Sequence, residues 1–101
     1  MGSRLKLHSE LEELLGSKNV YYQPPENLKM SYPAIKYSVN DIDVKKADNT
    51  AYIFNKRYEV TVIANRADNP VITKLLALPT CSYDRQYKTD GLYHDVLTLY
   101  Y

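Results

Sequence analysis

The stretch Arg57-Tyr58-Glu59-Val60-Thr61-Val62-Ile63 decides the fold of this chain. Tyrosine and branched apolar residues alternate in it with charged and hydroxyl-bearing residues, and this two-residue period is typical of a β-strand with one buried face. The alternation starts near Tyr52 and lasts to about Ala64. It predicts the clearest strand of the molecule.

On its N-terminal side the chain predicts a helix and two more strands. A stripe of leucines indicates a helix from about Arg4 to Leu15 that lies on a sheet, and Gly16 ends it in a left-handed conformation. The leucines are Leu7, Leu11, Leu14 and Leu15. Val20–Tyr22 is a short strand, ended by Pro24–Pro25 because proline cannot donate to a ladder. Ile35–Val39 alternates like a strand with one buried face.

Between that strand and the next lies a polar segment, Asn40–Thr50. Its composition favours an exposed connection, with a turn at Ala47-Asp48-Asn49. The charged residues of this connection are Asp41, Asp43, Lys45, Lys46 and Asp48.

A second helix and a hairpin follow the central strand. Asp68 or Asn69 can cap a short helix that has Pro70 at its first position, and Pro79 forbids its continuation. Two alternating runs, about 82–88 and 92–101, are joined through Asp90-Gly91, which supplies the positive φ angles of a tight hairpin. The order is therefore αβββαββ. We expect a single α+β domain spanning residues 1–101, with a mostly antiparallel sheet and two helices packed on one face.

The last strand has two partly apolar faces. One face carries Tyr93, Asp95, Leu97, Leu99 and Tyr101, and the other carries Leu92, His94, Val96, Thr98 and Tyr100. Such a strand either lies in the middle of the sheet or is covered on its outer side, for example by another subunit.

Tyrosine is the residue type that the composition emphasises. The chain has 11 tyrosines in 101 residues, with no tryptophan and one phenylalanine. Tyrosine joins a large apolar ring to a polar tip, so it suits half-buried sheet faces and protein interfaces. A net charge of +1 without a basic run disfavours simple binding of a phosphate backbone. The composition therefore indicates a surface that meets other proteins.

The residues that could carry chemistry are few. Cys81 is the only cysteine, so no internal disulfide forms and a reducing compartment is expected. Its pairing with His94 as a nucleophile and base is a remote alternative, because no flanking signature supports it. Asp41-x-Asp43 lacks the glycine and distal glutamate of a calcium loop, and the three glycines form no phosphate-binding motif. We expect no catalytic residue, cofactor, metal or membrane span.

The run Tyr83–Lys88 interleaves tyrosine with basic residues. Alternation predicts that Tyr83, Arg85 and Tyr87 share one strand face, where tyrosine beside arginine is favoured at protein interfaces. The same face could stack single-stranded bases, which leaves a small nucleic-acid-binding regulator as a distant alternative.

Several motifs together resemble the tail-completion or tail-terminator proteins of long-tailed bacteriophages and prophages, often labelled minor capsid or head–tail joining proteins. The resemblance covers residues from about Leu5 to Tyr101, and its motifs are specific as a set. They are Tyr32-Pro33-Ala34-Ile35-Lys36-Tyr37, Asp41-Ile42-Asp43, Ala47-Asp48-Asn49, Arg57-Tyr58-Glu59-Val60-Thr61-Val62-Ile63, Leu78-Pro79-x-Cys81-Ser82-Tyr83-Asp84-Arg85, His94-Asp95-Val96 and Leu99-Tyr100-Tyr101.

The resemblance implies a structural virion assembly protein rather than an enzyme. Such a protein forms a homo-oligomeric ring, typically a hexamer, that stops growth of the tail tube and joins it to the head connector, while DNA passes through without specific binding. Assembly would occur in the host bacterial cytoplasm and end at the head–tail junction of the virion. A head-completion or stopper protein on the connector side is the alternative within this class.

Two sets of residues are candidates for these contacts. The connection Asn40–Thr50, with the charged residues named above, is the candidate for reaching a neighbouring subunit or the tail-tube protein. The candidates for the subunit interface are Tyr83, Arg85, Tyr87, Tyr100 and Tyr101. The competing interpretation is that about half of these five side chains fill the core of the monomer.

Overall fold

The computed structural model describes residues 4–26, 28–47 and 50–101, and for 42–47 and 50–55 it describes the backbone only. Two helices and five strands form one α+β fold in the order αβββαββ, which confirms the expected fold class. The elements are α1 Arg4–Leu15, β1 Val20–Tyr22, β2 Ala34–Ala47, β3 Thr50–Ala64, α2 Pro70–Leu76, β4 Cys81–Thr89 and β5 Leu92–Tyr100.

The strands form one sheet in the order β1-β2-β3-β5-β4. β1 runs parallel to β2, and the other three pairings are antiparallel. β5 therefore lies between β3 and β4, so its two apolar faces follow from a central position in the sheet. Of the two explanations that the sequence left open for the last strand, the central position is correct.

Both helices pack on one face of the sheet, as expected. Leu7 and Leu11 of α1 and Val71 and Leu75 of α2 are buried against it. The sheet residues beneath them are Ile35, Tyr37, Tyr58, Val60, Val62, Leu97 and Leu99. Full burial of such a side chain contributes roughly 1.5–3 kcal/mol before the loss of conformational entropy is counted. This layer is the hydrophobic core.

Neighbouring residues determine where α2 begins and how the hairpin between β4 and β5 turns. Asn69 caps α2, since its side-chain oxygen accepts a hydrogen bond from the Val71 amide at 3.0 Å, and Pro70 begins the helix. In the hairpin, Asp90 has φ 51° and Gly91 has φ 74°, as a tight turn between two strands requires.

One prediction about the fold was wrong. Asn40–Thr50 is not an exposed loop, because β2 continues to Ala47 and pairs with β3, which begins at Thr50. The charged residues obscured the alternation of Ile42 and Val44 with Asp41 and Asp43, which is the two-residue period of a strand. The remaining turn residues, Asp48 and Asn49, lie outside the described residues.

Residues 42–47 and 50–55 form a two-stranded extension, which we call the β-arm. β1 pairs only with Ile35–Tyr37 of β2, and β5 pairs only with Arg57–Ala64 of β3. Within the part of the chain that the structure describes, the two strands of the β-arm therefore pair only with each other. The β-arm lengthens the molecule, whose principal extents are 52 × 30 × 23 Å.

Candidate subunit interface

The candidate interface is built around β4, which forms one edge of the sheet. Every residue of β4 after Cys81 is exposed. β1 at the opposite edge has three residues against nine in β4. An edge strand leaves backbone N–H and C=O groups unpaired along one side, so β4 offers a partner the longer edge.

A β-bulge corrects the predicted side-chain directions on β4. Tyr83 lies opposite Leu97 and Arg85 lies opposite Val96, with a register shift between them. Because neighbours on β5 point to opposite faces, Tyr83 lies on the helix-covered face while Arg85 lies on the other. The prediction that Tyr83 shares a face with Arg85 and Tyr87 was therefore wrong. Simple alternation assumes no inserted residue, and Asp84 is one.

On the face without helices, Arg85, Tyr87 and His94 lie together. The rings of Tyr87 and His94 stack with centroids 4.8 Å apart at 11°, and the Arg85 guanidinium lies 5.8 Å from the Tyr87 centroid. Arg85 also forms an ion pair with Asp84 at 2.7 Å. We call Arg85, Tyr87, His94 and Tyr100 the tyrosine face.

Tyr100 lies on the tyrosine face but far from Tyr87. It is opposite Arg57 of β3, whereas Tyr87 is opposite His94 of β5. The six-residue step along β5 corresponds to roughly 20 Å. The exposed rings therefore span the length of the strand rather than forming one compact patch.

The tyrosines of this chain divide between core and surface. Tyr22, Tyr37 and Tyr58 form an internal row with centroids 4.9 and 5.9 Å apart, and burial raises the pKa of Tyr37 and Tyr58. Among the described side chains, the exposed rings are Tyr32 at 45%, Tyr83 at 43%, Tyr87 at 41% and Tyr100 at 40%. The abundance of tyrosine thus reflects both a core built with aromatic rings and an exposed aromatic surface.

Tyr101 differs from the other four predicted interface residues. Its ring is partly buried against the core, and its backbone amide donates to the Lys56 carbonyl at 3.0 Å. Burial, followed by the nearby Glu10 carboxylate, raises the pKa of Tyr101. The monomer already uses part of the Tyr101 side chain. The other four side chains are exposed, so one of the five packs against the core rather than about half of them.

The structure adds a cluster on the helix-covered face that sequence reasoning missed. Asp95 is only 3% exposed, and its Oδ1 accepts hydrogen bonds from the Tyr83 hydroxyl at 2.7 Å and from Gln86 Nε2 at 2.9 Å. Burial of the phenol, then the Asp95 carboxylate, raises the pKa of Tyr83 to about 12. An aspartate on the same strand face as Leu97 and Leu99 was the available signal, because a buried charge needs partners.

The remaining candidates for chemistry do not converge. Cys81 packs against the core, where burial raises the pKa of its thiol, and His94 lies on the opposite face. His8 is half-buried, with Nδ1 2.7 Å from the Tyr37 hydroxyl. Among the described residues, histidine, cysteine and acidic side chains form no group of three that could hold a metal ion. Neither described helix is long and apolar enough to cross a membrane.

The described surface thus consists of an exposed edge strand, aromatic side chains on both of its faces and a protruding β-arm. No protein-family model matches the sequence, and no curated protein matches it either.

Proposed function

We propose that this chain is a structural assembly protein of a tailed bacteriophage or prophage, whose ring terminates the tail tube and joins it to the head connector. The proposal rests on the motif resemblance together with the shape of the molecule. The observation that carries it is β4, a nine-residue edge strand exposed after its first residue, with Arg85 and Tyr87 on its outer face. Tyrosine and arginine are enriched at protein interfaces.

The edge of β4 is built for a specific partner. The bulge at Asp84 and the charges of Asp84, Arg85 and Lys88 interrupt the free edge, and such features prevent indiscriminate strand addition. Contact through β4 would therefore depend on side chains such as Tyr87. This dependence favours an assembly with a fixed number of subunits over an open-ended fibre.

A ring requires head-to-tail contacts between two different surfaces of the same chain. β4 and the tyrosine face lie at one end of the strand order, while β2, which contributes half of the β-arm, lies near the other end. This arrangement supports a ring in which β4 of one subunit faces the β2 side of the next. The β-arm is the proposed contact with a neighbouring subunit or the tail-tube protein. Its sequence includes the charged residues Asp43, Lys45 and Lys46, and Asp41 directly precedes it.

The proposed ring has six subunits and encloses passing DNA. A net charge of +1 suits that passage, because each phosphate neutralised by a cation adds salt-sensitive affinity that would retard sliding. Assembly would take place in the bacterial cytoplasm, and the finished ring would lie at the head–tail junction.

Deleting the gene from the phage or prophage that encodes it tests this function. Electron microscopy of the lysate should reveal overlong tails or tails without heads. Full-length tails beside heads that release their DNA would instead identify a head-completion protein. Normal infectious virions would exclude both functions.

A further inference from the structure

A groove lies between α2 and β4 on the helix-covered face, away from the tyrosine face. Its volume is about 580 Å³. Ile72 and Leu76 of α2 and Tyr83 of β4 line it, and Arg66 and Asp95 are also among its lining residues. The groove therefore combines apolar walls with an almost fully buried carboxylate.

The two oxygens of the Asp95 carboxylate have different environments. Both hydrogen bonds from Tyr83 and Gln86 end on Oδ1. Among the described residues, no hydrogen bond or ion pair joins Oδ2 to another side chain, and no buried side-chain oxygen lacks a partner. Oδ2 therefore keeps some contact with solvent, and Asp95 is a lining residue of the groove.

The charge of Asp95 has no cationic partner within the described part of the chain. Tyr83 and Gln86 are neutral donors, and the Arg66 guanidinium pairs with Asp68 at 3.4 Å. Buried carboxylates are usually paired with a cation, since desolvation of an isolated charge is costly. A cation that enters the groove could therefore pair with Asp95 Oδ2.

We propose that this groove binds an arginine side chain of a partner polypeptide. Its guanidinium donates to Asp95 Oδ2 and stacks on the exposed ring of Tyr83, while its methylene stem contacts Leu76, which is 42% exposed. Arginine fits better than lysine because its planar guanidinium can stack on an aromatic ring and donate to a carboxylate at once. This assignment goes beyond ring formation, because it specifies a ligand chemistry on the other face of the sheet.

A peptide titration of the full chain tests the proposal. The probes are acetyl-Gly-Arg-Gly-amide and the same peptide with lysine or with citrulline, the neutral isostere of arginine. Amide chemical shifts of ¹⁵N-labelled protein report the binding site. The arginine peptide should shift the amides of Leu76, Gln86 and Asp95 with a dissociation constant on the order of 1–10 mM, the lysine peptide more weakly, and the citrulline peptide not at all.

Two variants locate the site. Asp95→Asn should weaken binding of the arginine peptide by about tenfold or more, whereas Asp90→Asn, at an exposed carboxylate in the hairpin turn outside the groove, should bind like the natural chain. If Asp95→Asn does not fold, Leu76→Ala should weaken binding several-fold, because it removes an exposed part of the wall. Any of three results would overturn the proposal. They are equal amide shifts with the citrulline and arginine peptides, no amide shift at about 20 mM arginine peptide, and binding of the lysine peptide as strong as that of the arginine peptide.

The test is separate from virion assembly, because it uses a short peptide and the chain alone. If the deletion phage has a tail defect but the protein does not bind the arginine peptide, the groove assignment is refuted and the assembly role remains supported. If the protein binds the arginine peptide but the deletion phage makes normal virions, the assembly role is refuted and the groove assignment remains supported.

Discussion

At the scale of single residues, the buried Asp95 carboxylate is stabilised by hydrogen bonds from neighbouring side chains. Asp95 is held by Tyr83 and Gln86, and Gln86 Nε2 also donates to the Ala67 carbonyl at 2.9 Å. This shared donor ties β4 and β5 to the loop before α2. Because a hydrogen bond to a charged group is stronger than one between neutral groups, the Tyr83 phenol is the residue whose removal should be most informative.

Tyr83→Phe should lower the free energy of unfolding by roughly 1–2 kcal/mol, because it removes the hydrogen bond to the Asp95 carboxylate. Urea denaturation at neutral pH measures the change. Tyr87→Phe is the matched control, since no hydrogen bond within the described residues involves its hydroxyl, and it should change stability by less than about 0.5 kcal/mol. Equal losses in the two variants would contradict the role given to the Tyr83–Asp95 bond.

Alkaline pH should remove the stabilisation that the Tyr83–Asp95 hydrogen bond gives to the fold. The folded-state pKa of Tyr83, about 12, lies above the ordinary pKa of a tyrosine, 10.0. The protonated phenol is therefore favoured by folding, so its contribution is complete below pH 10, declines as pH rises and is lost beyond about 12. The stability difference between the natural chain and Tyr83→Phe should narrow over this range. A difference that stays constant from pH 8 to pH 12 would refute the linkage.

At the scale of elements, α2 is a short helix whose two adjacent leucines have opposite environments. Leu75 is fully buried under the sheet, whereas Leu76 is exposed on the groove side. Seven residues form few internal hydrogen bonds, so α2 depends on its cap and on packing. The two leucines therefore provide an internal comparison of burial at constant chemistry.

Leu75→Ala should destabilise the fold by about 2–5 kcal/mol, because it removes buried methyl groups and leaves a cavity. Leu76→Ala should cost less than about 1 kcal/mol, because that side chain keeps much of its contact with water. Thermal or urea unfolding of both variants measures the difference. Comparable losses would mean that α2 is not docked through Leu75.

The hairpin between β4 and β5 depends on backbone conformation. Gly91→Ala should destabilise the fold by roughly 1 kcal/mol, because an alanine at φ 74° is strained although space is open around the position. Asp90→Gly, at φ 51°, should be close to neutral, since glycine adopts that conformation readily. Urea denaturation of both hairpin variants checks this prediction, which an unchanged Gly91→Ala protein would contradict.

Local patterns predicted most elements, and the exceptions share a cause. Alternation, prolines and Asp90-Gly91 predicted the order αβββαββ, because each of these signals acts within a few residues. The bulge at Asp84 and the pairing of Asp43 in the β-arm depend on which strand lies alongside, and alternation contains no such information. For the same reason, the sequence placed Asp95 on the inner face but did not reveal Tyr83 as its partner.

At the scale of the whole molecule, three of the four tyrosines that are exposed among the described side chains belong to β4 and β5. Tyr87 and Tyr100 lie on the face without helices, and Tyr83 lies across the edge of β4. Tyr32, also exposed, belongs to the segment before β2. In the proposed ring, self-association should therefore depend on Tyr87 and not on Tyr32.

Tyr87→Ala should raise the dissociation constant for self-association by about tenfold or more, because an aromatic ring at an interface commonly contributes over 1 kcal/mol. Tyr32→Ala, at an equally exposed ring outside the tyrosine face, should leave it unchanged. Sedimentation velocity over a range of concentrations measures both, and circular dichroism verifies folding. Equal weakening by the two substitutions would contradict an interface at the tyrosine face, as would association of Tyr87→Ala at natural strength.

The attachment of the β-arm has a mechanical consequence. β3 runs from the arm directly into the middle of the sheet, where eight of its residues pair with β5. The hydrogen bonds of an antiparallel pair are perpendicular to the strands. A force applied at the far end of the arm therefore loads these bonds in shear, and many of them must rupture at once instead of opening one after another. The hairpin should thus withstand a pull along its own length better than a pull that peels β3 away from β5 sideways.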